Sequence, residues 1–408
     1  KVISLAYTLM FSLLMYPSVG VPFVDHHSTI FVLTSFCLFI LGVKNRENKY
    51  FFFIPISLVI GFLCKQTPTT YGVFTIFFLG CIYLFFLNER KKFILTIFYG
   101  SFSAFLLLIF FFFFTKIPIS NFLTQYIYFA SSIGDYRLST WKFDLFGTIH
   151  EFKFILLPLI FSFYLNFIYY KLNKKNDFLI LLTLNFFAIL LMFHQLLTMN
   201  ENYIFFVIPI LTAFIHIYND KVITKKIFLY SIIGLCLFSV TKYHLRYNEH
   251  RKFHRLEKVD LSKAIDAQVI HQSLKGLKWI TSTYPTKPDK EIEIISQSIN
   301  ILKKEKDKFS VITDYLFLPV VLGINDHSPN QWYHPGVSYP LKDSKYYRDY
   351  KTFFVEKLKR ENISKVLIVG KGLENLLSLT FEENCFSKLQ IGEITYRLIL
   401  KDKCEEFR

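Results

Sequence analysis

The sequence predicts a polytopic α-helical membrane protein of about nine transmembrane helices with a C-terminal soluble α/β domain. Three observations predict it. The 408 residues are 52% hydrophobic, with 49 Phe and 25 Tyr, and the apolar residues crowd into positions 1–241 in blocks long enough to cross a bilayer. The polar gaps between those blocks alternate between basic and nearly uncharged. Beyond 241 the blocks give way to charged sequence with helical and strand periodicity. So many aromatics exclude a disordered or fibrous chain. The formal charge of +16 sits beside a mean hydropathy of +0.35, which does not fit a basic nucleic-acid binder.

Nine blocks qualify or nearly qualify as spans: 2–18, 29–43, 50–64, 71–88, 93–114, 153–170, 178–193, 204–218 and 227–241. The gaps 44–49, 89–92, 171–177 and 219–226 hold three Lys or Arg each, whereas 19–28, 65–70 and 194–203 hold only Lys65. By the positive-inside rule the first set is cytoplasmic and the second faces outward. Nine spans starting inside end outside, which makes 242–408 an external, periplasmic domain and the chain a multi-pass protein of a bacterial inner membrane. Residues 1–241 carry 18 basic and 9 acidic residues, and the tail 29 and 22. The basic excess is therefore divided between membrane orientation and tail, and contact with membrane lipid explains much of it. Nucleic acid is not an expected partner. The chain opens on Lys1 and runs straight into a span without a charged n-region, which suggests an N-terminally incomplete sequence.

In the tail, 262–281 and 288–308 read as helices from apolar residues at three- and four-residue spacing. Phe309–Thr313 reads as a buried strand, 345–361 as an amphipathic helix and Lys365–Gly370 as a second buried strand with a short helix to about 380. Glu393–Leu400 alternates and reads as an edge strand. Strand–helix–strand order implies at least one parallel pair. Gly370-Lys371-Gly372 follows a strand as a dinucleotide loop would, but Asn375 stands where the third glycine belongs, so it is read as an ordinary turn. Cys37, Cys64, Cys81 and Cys236 fall in or beside spans, where Cys acts as a small hydrophobe. Cys385 and Cys404 lie in the external tail, where a disulfide between them is permitted.

Few charges lie on the outward face, so each can be weighed. Asp25 opens the second span: either a carboxylate that positions or deprotonates an acceptor hydroxyl or binds a cation, or a helix N-cap. His26 and His27 are adjacent, so a helix points them apart. Lys65, followed by Gln66, closes the third span against the charge rule; it is either a fixed cation for a phosphate or a snorkelling lysine. Glu201, between Asn200 and Asn202 and beside Tyr203, suits sugar hydroxyls or caps a turn. The aromatic stretch 115–152, with Asp135, Arg137, Trp141, Asp144 and Glu151, reads as interfacial amphipathic segments. No CxxC or His/Cys cluster suggests zinc, and cofactor use stays open, a divalent metal included.

The Asp-bearing span entry Phe23–Phe31 (FVDHHSTIF), a basic turn, a Gly-containing span ending in Lys (IGFLCKQTP, 60–68), and Asn200–Tyr203 running to Pro209 resemble the GT-C membrane glycosyltransferases, within them the aminoarabinose transferase and protein mannosyltransferase branch. The resemblance covers most of 1–241. It implies a GT-C-like fold and an inverting transfer of a sugar from a polyprenyl-phosphate carrier to an envelope glycan, lipid or protein acceptor. It implies Asp25 as the catalytic base, with Lys65, Gln66, His26, Glu201, Asn202 and Tyr203 binding substrate. The family's principal Asp lies in a first outer loop between two further spans, which this chain lacks. The resemblance thus implies eleven spans in a longer chain, with the main catalytic loop upstream. Two other classes remain. A transporter or flippase of lipid-linked sugars would carry inverted repeats and more charge in mid-span. A non-catalytic membrane protein would place its function in an external binding domain, around Thr313-Asp314-Tyr315 and Asn330–Pro335.

Overall fold

A computed structural model describes residues 2–15, 24–87, 89–198, 204–220, 226–250, 256–305, 308–330, 333, 336–370, 373, 376 and 385–400. The chain divides into two compact units, Lys1–His254 and Arg255–Arg408, each taken here by itself.

The first unit is helical. Its helices are α1 (Val2–Met15), α2 (Val24–Asn45), α3 (Asn48–Cys64), α4 (Gln66–Phe86), α5 (Arg90–Thr115), the short α6 (Ile119–Asn121), α7 (Phe129–Thr140), α8 (Leu145–Lys171), α9 (Lys175–Thr198), α10 (Val207–Asp220) and α11 (Lys226–His244). All nine expected blocks fall on helices. Six of these (α2, α4, α5, α8, α9 and α11) are long and apolar enough to cross a membrane. The other three blocks form shorter apolar helices: Val2–Met15, Asn48–Cys64 and Ile204–Asn219. At 1.5 Å per residue, the 17 residues of α3 span only about 26 Å. The aromatic stretch after α5, expected as interfacial amphipathic segments, is helical for most of its length. It forms α6, a π-helix at Phe122–Tyr128 and α7, and residues 145–152 already belong to α8.

The core forms around α2 and α9. Phe36 on α2 packs on Phe187 of α9 with ring centroids 5.0 Å apart. Phe39, Phe51, Tyr83 and Phe93 join α2, α3, α4 and α5 edge to face. Glycine sets the tightest crossing: a Cβ on Gly100 of α5 would fall 2.3 Å from the Phe52 carbonyl oxygen of α3, so only a hydrogen fits between the two backbones. By contrast α5 turns most of its aromatics outward, among them Phe98, Phe102, Phe105, Phe110, Phe113 and Phe114, as a lipid-facing helix should.

The second unit is α/β. Strands β3 (Phe309–Thr313), β4 (Lys365–Val369), β5 (Phe386–Gln390) and β6 (Thr395–Leu400) form one sheet in the order β3-β4-β6-β5. β3 and β4 are parallel and the other pairs antiparallel. Helix α12 (Pro288–Lys304) covers one face, its Ile295, Ile299 and Leu302 packing with Val311, Leu367 and Val369. Helix α14 (Tyr347–Arg360), which follows the short α13 (Phe317–Leu322), covers the other, its Phe354 and Leu358 meeting Val366, Ile368 and Leu398. Burial on both faces is why Lys365–Val369 is apolar without alternation.

Two expectations for this unit fail. Residues 262–281 are not a helix but a run of 3₁₀ turns closed by a two-stranded hairpin, β1 (Ile265–Asp266) with β2 (Lys278–Trp279). The side chains of Asp260, Asp266 and His271 accept from the amides of Ser262, Gln268 and Ser273 respectively, so each short turn is capped before a helix can propagate. Residues 395–400 are not an edge strand, because β5 pairs outside them. The hairpin is anchored through buried Glu291 of α12, which accepts from Trp279 Nε1 (3.0 Å), Thr281 Oγ1 (2.9 Å) and Tyr315 OH (3.1 Å). Cys385 is buried and disulfide-bonded; Cys404, its expected partner, lies outside the described residues, as does most of the helix expected after Gly370.

Candidate functional site

The site is built where α3 gives way to α4. Pro68 disfavours helical angles at the residue before it, and Thr67 is extended accordingly. Lys65, which joins the two helices, is extended as well. Gly61 lets α3 pass close to α2: a Cβ there would sit 3.0 Å from both Phe31 Cβ and Thr69 Oγ1. On that approach Ser28 donates to the Lys65 carbonyl (3.2 Å) and meets the Thr69 hydroxyl at 2.7 Å. These contacts fix the backbone of Lys65 beside the first turn of α2.

That first turn carries Asp25, where the helix dipole favours a carboxylate. Lys65 Nζ donates to both of its oxygens at 2.6 Å. The Asp25 side chain is 4% exposed and that of Lys65 30%, so the pair is open only from the lysine side. His194 Nε2 lies 3.8 Å from Asp25 Oδ1, with the imidazole wholly buried and Tyr71 packed alongside it. The charge of Arg137, on α7, acts on both Tyr71 and His194. Asp25 is thus held by one cation, Lys65, and bordered by an imidazole, all at the helix ends opposite the basic gaps.

Of the other expected binding residues, Gln66 is committed elsewhere. Gln66 donates its amide to the Tyr126 carbonyl at 2.6 Å. The Tyr126 hydroxyl in turn donates to the carbonyls of Phe62 (2.6 Å) and Leu63 (3.0 Å), filling acceptors that the end of α3 leaves open. Gln66 therefore ties the π-helical segment to the Lys65 turn. His26 is buried in α2 while His27 is exposed, so the two do point apart. Glu201, Asn202 and Tyr203 lie outside the described residues. Among the described residues, no group of three or more His, Cys, Asp or Glu is placed to hold a metal ion.

His194 and Gln195 were expected in an outward gap, but both belong to the last turns of α9. The signal was present: the apolar pattern of 178–193 continues through Leu196 and Leu197. Gln195 faces the other neighbour of α9, donating to Glu151 Oε1 of α8 at 2.6 Å. Tyr126, His194 and Gln195 are the residues that sequence reasoning passed over. Comparison with known protein families, with curated proteins and with solved structures finds no match to this chain.

Proposed function

We propose that the chain is an integral-membrane, GT-C-like glycosyltransferase that moves a sugar from a polyprenyl-phosphate carrier to an envelope acceptor. On this reading it works at the outer face of a bacterial inner membrane, with residues 255–408 periplasmic. The observation that carries the reading is the Asp25–Lys65 pair at the helix ends opposite the basic gaps: charge taken out of water at membrane depth is retained for use. The two groups have complementary tasks. In the resting pair Lys65 occupies both carboxylate oxygens. A phosphate drawn to Lys65, the more exposed partner, competes with that contact and releases an oxygen of Asp25. The freed carboxylate accepts the proton of an acceptor hydroxyl. The hydroxyl oxygen bonds to the anomeric carbon from the face opposite the phosphate, and the carbon–phosphate-oxygen bond breaks. The electron pair leaves on the carrier phosphate, whose charge Lys65 stabilises. Asp25→Asn should lower transfer of a lipid-linked sugar by about 10²–10⁴-fold, the range of a general base, and Lys65→Ala should lower it as well. Transfer at the native rate by either variant, measured with radiolabelled donor in membranes, would remove that residue from the mechanism.

A second reading, transport of lipid-linked sugars, draws on Asn185. This residue lies midway along α9, fully buried, and neither polar atom of its amide has a hydrogen-bond partner. Unsatisfied polar groups at that depth mark passages. Movement of a fluorescent lipid-linked sugar across vesicles without acceptor would favour this reading over transfer.

A further inference from the structure

Opposite the basic gaps, α8 and α11 bring three more cations together. Lys153 on α8 and Lys242 on α11 both reach one ring, that of Phe154, with Nζ 5.8 Å and 4.5 Å from its centroid. Arg246 lies one turn beyond Lys242, its guanidinium 5.4 Å from the centre of the Tyr247 ring, within a π-helical turn at Leu245–Glu249. The charges of Lys153 and Arg246 both act on Lys242. Like charges gathered this closely repel unless an anion sits among them. The nearest carboxylates do not serve. Glu151 keeps its charge but turns one carboxylate oxygen to Gln195, Glu249 is exposed, and among the described residues no carboxylate forms an ion pair with any of the three cations. Arg246 is only half exposed, and its Nε is buried with no hydrogen-bond partner, so one directional donor is left over.

The surroundings suit the boundary between water and acyl chains. Phe205, Tyr243 and Tyr247 form a stack, with centroids 3.6 Å apart between the first two and 6.1 Å between the last two. Phe154 packs edge-on against Tyr243. The three stacked rings are buried and back the site from inside; its apolar outer side is Phe238, 58% exposed, with its centroid 5.6 Å from that of Phe154, and π-turns recur at functional sites. The Tyr243 hydroxyl reaches the Glu151 carbonyl at 3.5 Å, which joins the patch to α9 through Gln195. A ligand with an anionic head and an apolar tail matches both halves of the patch.

We propose that Lys153, Lys242 and Arg246 form a binding site for a lipid-borne phosphate, seated over the Phe154 ring between α8 and α11. The site stands whether or not the glycosyltransferase reading does. The phosphate belongs either to a bulk anionic phospholipid or to a polyprenyl phosphate, and the experiment separates the two. The full chain is purified into phosphatidylcholine nanodiscs doped with phosphatidylglycerol or with a polyprenyl phosphate, and retained lipid is counted by native mass spectrometry. Both anionic lipids should be retained in preference to phosphatidylcholine. Each charge removed should weaken retention about fivefold, and Lys153→Gln/Lys242→Gln/Arg246→Gln together about a hundredfold. Preference for the polyprenyl phosphate identifies a carrier site and preference for phosphatidylglycerol a bulk-lipid site; either supports the proposal. Lys242→Arg, which keeps the charge, should bind as the native chain does. Because a triple variant can misfold, release from the native chain is followed as well, and it should rise as salt goes from about 0.1 to 1 M. Undiminished retention by the triple variant, equal retention of phosphatidylcholine, inorganic phosphate bound as tightly as lipid, salt-insensitive retention, or a Lys242→Arg variant as weak as Lys242→Gln would each overturn the proposal.

Discussion

Breaking the Asp25–Lys65 pair should be more damaging from one side than from both. Lys65→Met leaves a 4% exposed carboxylate without its cation, and an uncompensated buried charge is strongly destabilising, by about 3 kcal/mol for a partner that keeps some water contact. Asp25→Asn/Lys65→Met removes both charges and should melt closer to the native protein. Thermal unfolding in detergent checks this, and a double variant less stable than Lys65→Met would contradict it. Both partners were legible in the sequence because each is a charge where few are expected. His194 was not, since a histidine at a span end looks the same whether it faces water or a carboxylate. In the tail, Asp326 accepts from the amides of Val311 and Ser328, yet burial holds its carboxyl above the usual range. A raised acid pKa means the folded state binds the proton more tightly than the unfolded chain. That contribution is complete at low pH and is lost as pH rises through the folded pKa. Asp326→Asn keeps an acceptor without the charge, so it should flatten the loss of tail stability as pH rises above the usual carboxylate range, read by limited proteolysis of residues 255–408.

At the level of helices and strands, the crossing of α3 and α5 is the most brittle contact. Gly100→Leu would drive a side chain into the Phe52 carbonyl, and overpacking of this kind costs about 1–3 kcal/mol. Gly134, with open space around its Cβ position, should accept alanine without loss. Comparing the two melting temperatures tests the contact. How far these elements could be read from sequence followed their chemistry. Phe309–Thr313 and Lys365–Val369 were found with their boundaries because they are apolar on both faces. Phe386–Gln390 was missed: only Phe386 is partly covered, so the strand has no apolar pattern to betray it, and its absence made β6 look like the edge. The run 262–281 had helical apolar spacing, but three local side-chain caps outweigh periodicity over so short a stretch. All nine apolar blocks fall on helices, six of them long and apolar enough to cross a membrane, while the end of α9 was drawn too short because its polar His194 and Gln195 are buried by neighbours rather than left to water.

At the scale of the whole chain, the alternation of basic and uncharged helix ends predicts one orientation. Alkaline phosphatase fused after Glu249 should be active outside the cytoplasm, and the same fusion after Lys92 inactive. The reverse result would invert the membrane assignment and carry the Asp25 site to the other face. The unequal burial of the helices has a further consequence. Within its apolar window α9 is 72% buried and α5 only 11%. The first is a central post whose side chains each answer to several neighbours; the second, apart from the Phe93, Gly100 and Ala104 stripe that meets its neighbours, turns toward acyl chains, which accept any greasy residue. Natural selection should therefore act on them at different rates. Among relatives of this chain, the outward positions of α5 should drift freely among Phe, Leu and Ile, while Gly100 stays small and α9, with Asn185, His194 and Gln195, changes slowly and is the stretch by which distant kin are recognised.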